Sequence, residues 1–114
     1  MTNQLDHLKY LDKFSGANIF NLNPYKKNFK IIKGDILNFI LLSKSVVNKS
    51  LIINCAASTS HIRSMHDPLS NLDVNIKGVL NILESIKLFN LDSKFIQIGT
   101  TTQIGNLHKK KADE

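Results

Sequence analysis

Residues 50–57, Ser-Leu-Ile-Ile-Asn-Cys-Ala-Ala, constrain the fold more than any other stretch. The run is too short for a core helix, and its apolar residues occupy odd and even positions alike. A strand of that kind calls for cover on both faces, which is the situation of a parallel sheet between helices. It ends on Ala56-Ala57 and gives way at once to polar Ser, Thr, His and Arg. Two small residues at a strand end let another group approach the backbone closely.

The neighbouring segments fit the same sheet. Residues 7–12 alternate and close on Asp12, a short strand. Residues 13–27, with Gly16 and Pro24, read as loop with room for one helical turn. Residues 28–35 form a second strand ending at Gly34-Asp35. Residues 36–47 carry Ile36, Phe39, Ile40 and Val47 in a mostly buried helix. Asp67-Pro68 is a helix start, an acidic cap followed by proline at the first helical position. The helix runs on to Phe89, with apolar Leu69, Leu72, Ile76, Val79, Leu80, Leu83 and Ile86 spaced by threes and fours. Gly78 interrupts it at a cost of about 1 kcal/mol against alanine, which points to close packing on the sheet. Residues 94–105 form a fourth strand that enters a threonine-rich loop, and residues 106–114 are a polar tail. Strands alternating with helices predict one α/β domain over residues 1–114, with a parallel sheet, flanking helices and right-handed crossovers.

Composition narrows the function classes. The chain has 114 residues, 42% of them hydrophobic, enough for one small core. No apolar run approaches the length needed to span a bilayer, and the first ten residues lack the pattern of an export signal, so no membrane role and a cytoplasmic location are expected. Cys55 is the only cysteine, which excludes an intrachain disulfide, and its apolar surroundings predict a small buried side chain. Of 15 basic residues only Arg63 is an arginine, and the lysines are scattered, so the net charge of +6 reads as a solvated surface with no nucleic-acid partner. His61 and His66 are five apart, no spacing for a metal, and no metal site is expected.

In a parallel sheet, ligands sit beyond the carboxyl ends of the strands. Those ends carry Asp12, Gly34-Asp35, Ala56-Ala57 and Gly99-Thr100-Thr101. An aspartate there can accept hydrogen bonds from a ribose diol, or it can be a solvated cap. Asp35 can accept an adenine amino group, or it can serve a turn. Ala56-Ala57 can underlie a dinucleotide, or pack tightly. The threonines can hold a substrate oxygen, or satisfy their own turn. Asn75, inside the long helix, needs a partner for its side chain. A structural bridge from helix to strand through a water would supply one.

Taken in order, these motifs resemble the nicotinamide-dependent sugar-nucleotide epimerases and dehydratases of the extended short-chain dehydrogenase/reductase family, from about Leu8 to Glu114. "YLDKFSGAN" resembles the end of the family's second strand and "FKIIKGDILN" its third. "IINCAAST" resembles the fourth, with Asn54 where the family commonly has His. "SMHDPLSNLDVNIKGVLNILES" resembles the helix that follows, and "FIQIGTTTQIG" the fifth strand and catalytic loop. The resemblance implies a partial Rossmann-like fold, the second to fifth strands of the nucleotide-binding domain. It implies NAD as cofactor, contacted by Asp12, Lys13, Asp35, Ile36, Ala56, Ala57, Ser58 and Asn75. Thr100, or Thr101 after a one-residue shift, would hold the reacting hydroxyl of a nucleotide sugar. NAD is favoured over NADP because Asp12 would repel a 2′-phosphate, with Lys13 beside it working the other way. A homodimer is a possibility for the intact enzyme.

Two family features have no counterpart in these residues. The five glycines, at 16, 34, 78, 99 and 105, do not form the Gly-x-x-Gly-x-x-Gly turn, and Tyr10 and Tyr25 do not form the catalytic Tyr-x-x-x-Lys pair. The resemblance therefore implies a fragment of a nucleotide-sugar epimerase or dehydratase. Alone it is expected to be inactive, to bind dinucleotide poorly or not at all, and to be marginally stable, with an open sheet edge or a central gap. The alternative is a non-catalytic module that binds a nucleotide or another subunit. The sugar and the reaction subtype are not written in these residues.

Overall fold

In the computed structural model, the residues described are 9–13, 20 and 30–100. The remainder of the 13–27 loop, Thr101 and the tail at 106–114 lie outside them. Strand β1 spans Lys9–Asp12, β2 Lys30–Lys33, α1 Phe39–Val46, β3 Leu51–Asn54, α2 His61–His66, α3 Pro68–Leu72, α4 Gly78–Phe89 and β4 Lys94–Gln97. A π-helical stretch, Asp73–Lys77, joins α3 to α4. The chain is thus α/β, and its strand pairs are parallel.

The pairing takes one of the two outcomes that the resemblance implies, a central gap. Among the described residues β1 pairs with β2, and β3 pairs with β4, as two separate two-stranded sheets. Lys9 faces Lys30 and Asp12 faces Lys33; Leu51 faces Lys94 and Asn54 faces Gln97. A shared core holds the two pairs together. Ile36, Leu42, Val46, Ile82 and Ile86 form it, and Leu11 of β1, Ile52 of β3 and Phe95 of β4 pack against it.

The opposite face of the β3–β4 pair is open. Leu51, Ile53 and Ile96 are exposed there, so the continuous apolar run does not have both faces covered by described residues. Cys55, expected to be buried, is exposed at the end of this strand. The chain has left the strand by then, and no described helix covers the residue.

Each helix is defined locally. Asn38 caps α1 by accepting from the N–H of Leu41, and Asn48 follows it in the left-handed conformation, with φ of 56°. The core-facing residues of α1 are Leu42 and Val46, whereas Phe39, Ile40 and Val47 are exposed. Helix α2 falls where a loop was expected. Ser60 caps it, accepting from the N–H of Arg63 at 3.3 Å. Asp67 caps α3 through the N–H of Ser70 at 3.0 Å, with Pro68 at the first turn, as the sequence predicts.

The long helix turns a different side inward than its spacing suggests. Gly78, Ile82, Ser85 and Ile86 are buried, while Leu69, Leu72, Ile76, Leu80 and Leu83 form an exposed stripe. The helix is apolar along two stripes, and periodicity alone does not say which one meets the core. Gly78 supplies the close approach. A Cβ there would meet the Ile36 side chain, with Cγ1 at 2.8 Å. That contact is with the turn after β2, at the base of the core.

Candidate nucleotide site

The site begins where the two strands of each pair end. At the first pair, the β1–β2 ladder is extended by the N–H of Gly34, which donates to the carbonyl of Asp12 at 2.9 Å. This bond places Asp12 and Asp35 at neighbouring strand ends. Asp35 then folds into a turn: its Oδ1 accepts from the N–H of Leu37 at 3.0 Å, and its carbonyl accepts from Asn38. Its Oδ2 lies 2.7 Å from the Lys13 ammonium. The Lys13 hydrogen bond, and then that of Leu37, hold the Asp35 carboxyl below the ordinary carboxylate range. Asp12, Lys13 and Asp35 are therefore one cluster.

Ile36, the next residue, is committed inward. Its side chain is buried on Gly78, and its carbonyl accepts from Asn81 Nδ2 at 3.1 Å. It braces the turn that carries Asp35.

At the second pair, Asn54 is buried and ties the strand ends together. Its Nδ2 donates to Gln97 Oε1 at 2.8 Å, and its Oδ1 accepts from the N–H of Ala56 at 3.1 Å. An amide does both at once, one donor group and one acceptor. Beyond it, Ala56 is half-buried against the core and Ala57 is exposed. The ladder continues on the β4 side with the N–H of Ile98 donating to the Asn54 carbonyl at 3.0 Å. Thr100 follows, exposed.

Ser58 is held directly by Asn75, without the intervening water that the sequence suggested. Asn75 Oδ1 accepts from the N–H of Ser58 at 2.8 Å, and Asn75 Nδ2 donates to the Ser58 carbonyl at 3.0 Å. Asn71 Nδ2 donates to the same carbonyl at 3.2 Å, and Asn71 Oδ1 accepts from Asn75 at 3.1 Å. Asn75 lies inside the π-helical stretch, whose wider turn is a recurrent feature of functional sites. Asn71 and Gln97 were not singled out from the sequence. The one signal for Asn71 was its spacing of four from Asn75, which stacks two amides on one helix face.

The structure thus gathers Asp12, Lys13 and Asp35 at one pair of strand ends, and Ala56, Ala57 and Thr100 at the other. Ser58 and Asn75 are joined beside the second pair. The carboxylates at the first pair are hydrogen-bond acceptors. Each Asp35 oxygen keeps a second lone pair beyond the bonds described, and Asp12 presents a carboxylate at the adjoining strand end. Among the described residues, no cluster of His, Cys, Asp or Glu has the arrangement of a metal site.

Comparison with known proteins gives the family and the fold. A family model described as GDP-mannose 4,6 dehydratase matches residues 4–114. A dTDP-glucose 4,6-dehydratase of Streptomyces niveus is 29% identical over 107 residues, covering 91% of this chain and 32% of its own length. A UDP-glucuronate 4-epimerase of Thermodesulfobacterium geofontis is 35% identical over 89 residues, covering 75% of this chain and 27% of its own. Among solved structures, a UDP-N-acetylglucosamine 4-epimerase from Methanobrevibacter ruminantium superposes with a TM-score of 0.82 and 27% identity, over 94% of this chain and 34% of that one. The dTDP-glucose 4,6-dehydratase of Streptomyces venezuelae, solved with NAD bound, gives 0.66 and 25%, over 72% and 26%. The chain spans only about a third or less of the length of these relatives.

Proposed function

Since the chain belongs to the GDP-mannose 4,6-dehydratase family of nucleotide-sugar dehydratases and epimerases, we propose that it is the adenosine-binding part of an NAD-dependent member. The carrying observation is the bond from Gly34 to Asp12, which sets Asp12 and Asp35 side by side at the ends of paired parallel strands. In this reading Asp12 accepts from the ribose diol and Asp35 from the adenine amino group, with Ile36 bracing the turn. Lys13 balances the charge of Asp35. Ala56, Ala57 and Ser58 lie under the rest of the dinucleotide, and Asn75 fixes Ser58. Thr100 or Thr101 holds a hydroxyl of the sugar. Bound NAD would supply the hydride acceptor and donor. The intact protein would act on a nucleotide sugar in the cytoplasm.

The Tyr-x-x-x-Lys pair has no counterpart in these 114 residues. The Gly-x-x-Gly-x-x-Gly turn has none either, so the chain by itself binds weakly for want of that turn and turns nothing over for want of the pair. The test is the affinity of the purified chain for adenosine 5′-monophosphate (AMP), followed by ligand-detected NMR. A dissociation constant of order 1 mM is expected, weakened about tenfold or more in Asp12→Ala as a charge-assisted bond pair is lost. Equal binding by parent and variant, or turnover of a nucleotide sugar by the chain alone, would overturn the proposal.

A second reading is a non-catalytic module that pairs with another subunit. The division into two two-stranded sheets on one core, with an exposed apolar stripe along the long helix, favours it. The same stripe is where a homodimer of the intact enzyme would close.

A further inference from the structure

Building on the adenosine site proposed above, we infer that Asp35 sets the choice between the two nicotinamide dinucleotides by holding Lys13 away from the ribose 2′ position. Lys13 directly follows Asp12, the residue placed on the ribose diol. A cation there is what a 2′-phosphate needs, so the sequence pulls in both directions at once: an aspartate that repels the phosphate and a lysine that would attract it. The geometry resolves the contest. The Lys13 ammonium is 2.7 Å from Asp35 Oδ2, across the strand ends. Asp35 is itself fixed by the N–H of Leu37 and by the Gly34 turn, so the anion is anchored and the flexible lysine comes to it. Lys33 stands in register with Asp12 and adds the same background to every variant considered below. The depressed titration of Asp35 agrees with a carboxylate that stays ionised and keeps its lysine at neutral pH.

Asp35 acts here through Lys13 as a positioning residue, and its effect falls on a ratio of affinities. The probes are AMP and adenosine 2′,5′-bisphosphate, measured with the whole chain by ligand-detected NMR at low salt. The parent should prefer AMP. Asp35→Asn removes the anchor's charge and releases Lys13, and the affinity ratio should move about fivefold toward the 2′-phosphorylated ligand, the size of one added cation near a phosphate. Asp35→Ser, which keeps an oxygen for the Leu37 N–H, should move it the same way. Adding Lys13→Met to either variant should cancel the shift. An unchanged ratio in both Asp35 variants, with AMP still bound, would overturn this inference and leave the adenosine site standing. Failure of the parent to bind AMP would overturn the site and this inference with it.

Discussion

The ion pair between Lys13 and Asp35 is short but partly solvated. The Lys13 side chain is 63% exposed and that of Asp35 28%, so its worth is below about 1 kcal/mol after solvent screening. Its sign with pH is nevertheless defined. Asp35 titrates lower in the folded chain than in the unfolded one, so its contribution is present above the ordinary carboxylate range and is lost as pH falls through the folded value. Asp35→Asn should therefore lower the urea midpoint slightly at pH 7 and converge with the parent in strong acid. A gap between the two that stays constant across that range would contradict the pairing. At this scale the sequence was informative about acids at strand ends and much less so about amides. Asp12, Asp35 and Asp67 stand beside turn and strand boundaries that propensity marks. Asn54, Asn71 and Gln97 act through partners as much as 43 residues distant in the chain, and no local pattern encodes such a pairing. Cys55 was misjudged for a related reason: an apolar neighbourhood in sequence does not say where the strand stops.

At the scale of elements, Gly78 joins the long helix to the site. Its missing side chain lets α4 settle on Ile36, the residue that braces the Asp35 turn. Gly78→Ala gains about 1 kcal/mol of helix propensity but overpacks a buried isoleucine, which costs about 1–3 kcal/mol. The balance is a loss of about 1 kcal/mol, read as a lower urea midpoint, and Ile36→Val in the same chain should recover only part of it, because it removes Cδ1 and leaves Cγ1 close to the new Cβ. A stabilised Gly78→Ala chain would mean that Ile36 moves aside freely. The existence and kind of all four strands and of the two principal helices were legible, because strands and helices differ in apolar period. The inward side of α4 was not. Two apolar stripes satisfy the same period, and only the tertiary partner, Ile36 with Leu42 and Val46, selects between them. Helix α2 was missed because six residues with a serine cap and no buried side chain leave little periodicity to read.

For the molecule as a whole, the parallel pairs and their order were expected, and their division into two sheets is the central gap that the resemblance implies. The exposed stripe of Leu69, Leu72, Ile76, Leu80 and Leu83 makes a further demand. Contiguous apolar area on a helix calls for a partner surface. If copies of the chain meet there, Leu80→Glu should convert a dimer to a monomer in light scattering at high micromolar concentration, with little change in the helical signal. A parent chain that stays monomeric at that concentration would remove the dimer reading.

On the proposed reading, the ends of β1 and β2 form an adenosine site. A two-dimensional amide NMR titration of the chain with AMP tests it most directly. Saturable shifts should centre on Asp12, Lys13, Gly34 and Asp35, with smaller ones at Ala56 and Ser58. Saturable shifts that fall elsewhere, such as on the exposed stripe of α4, or the absence of any saturable shift, would contradict it.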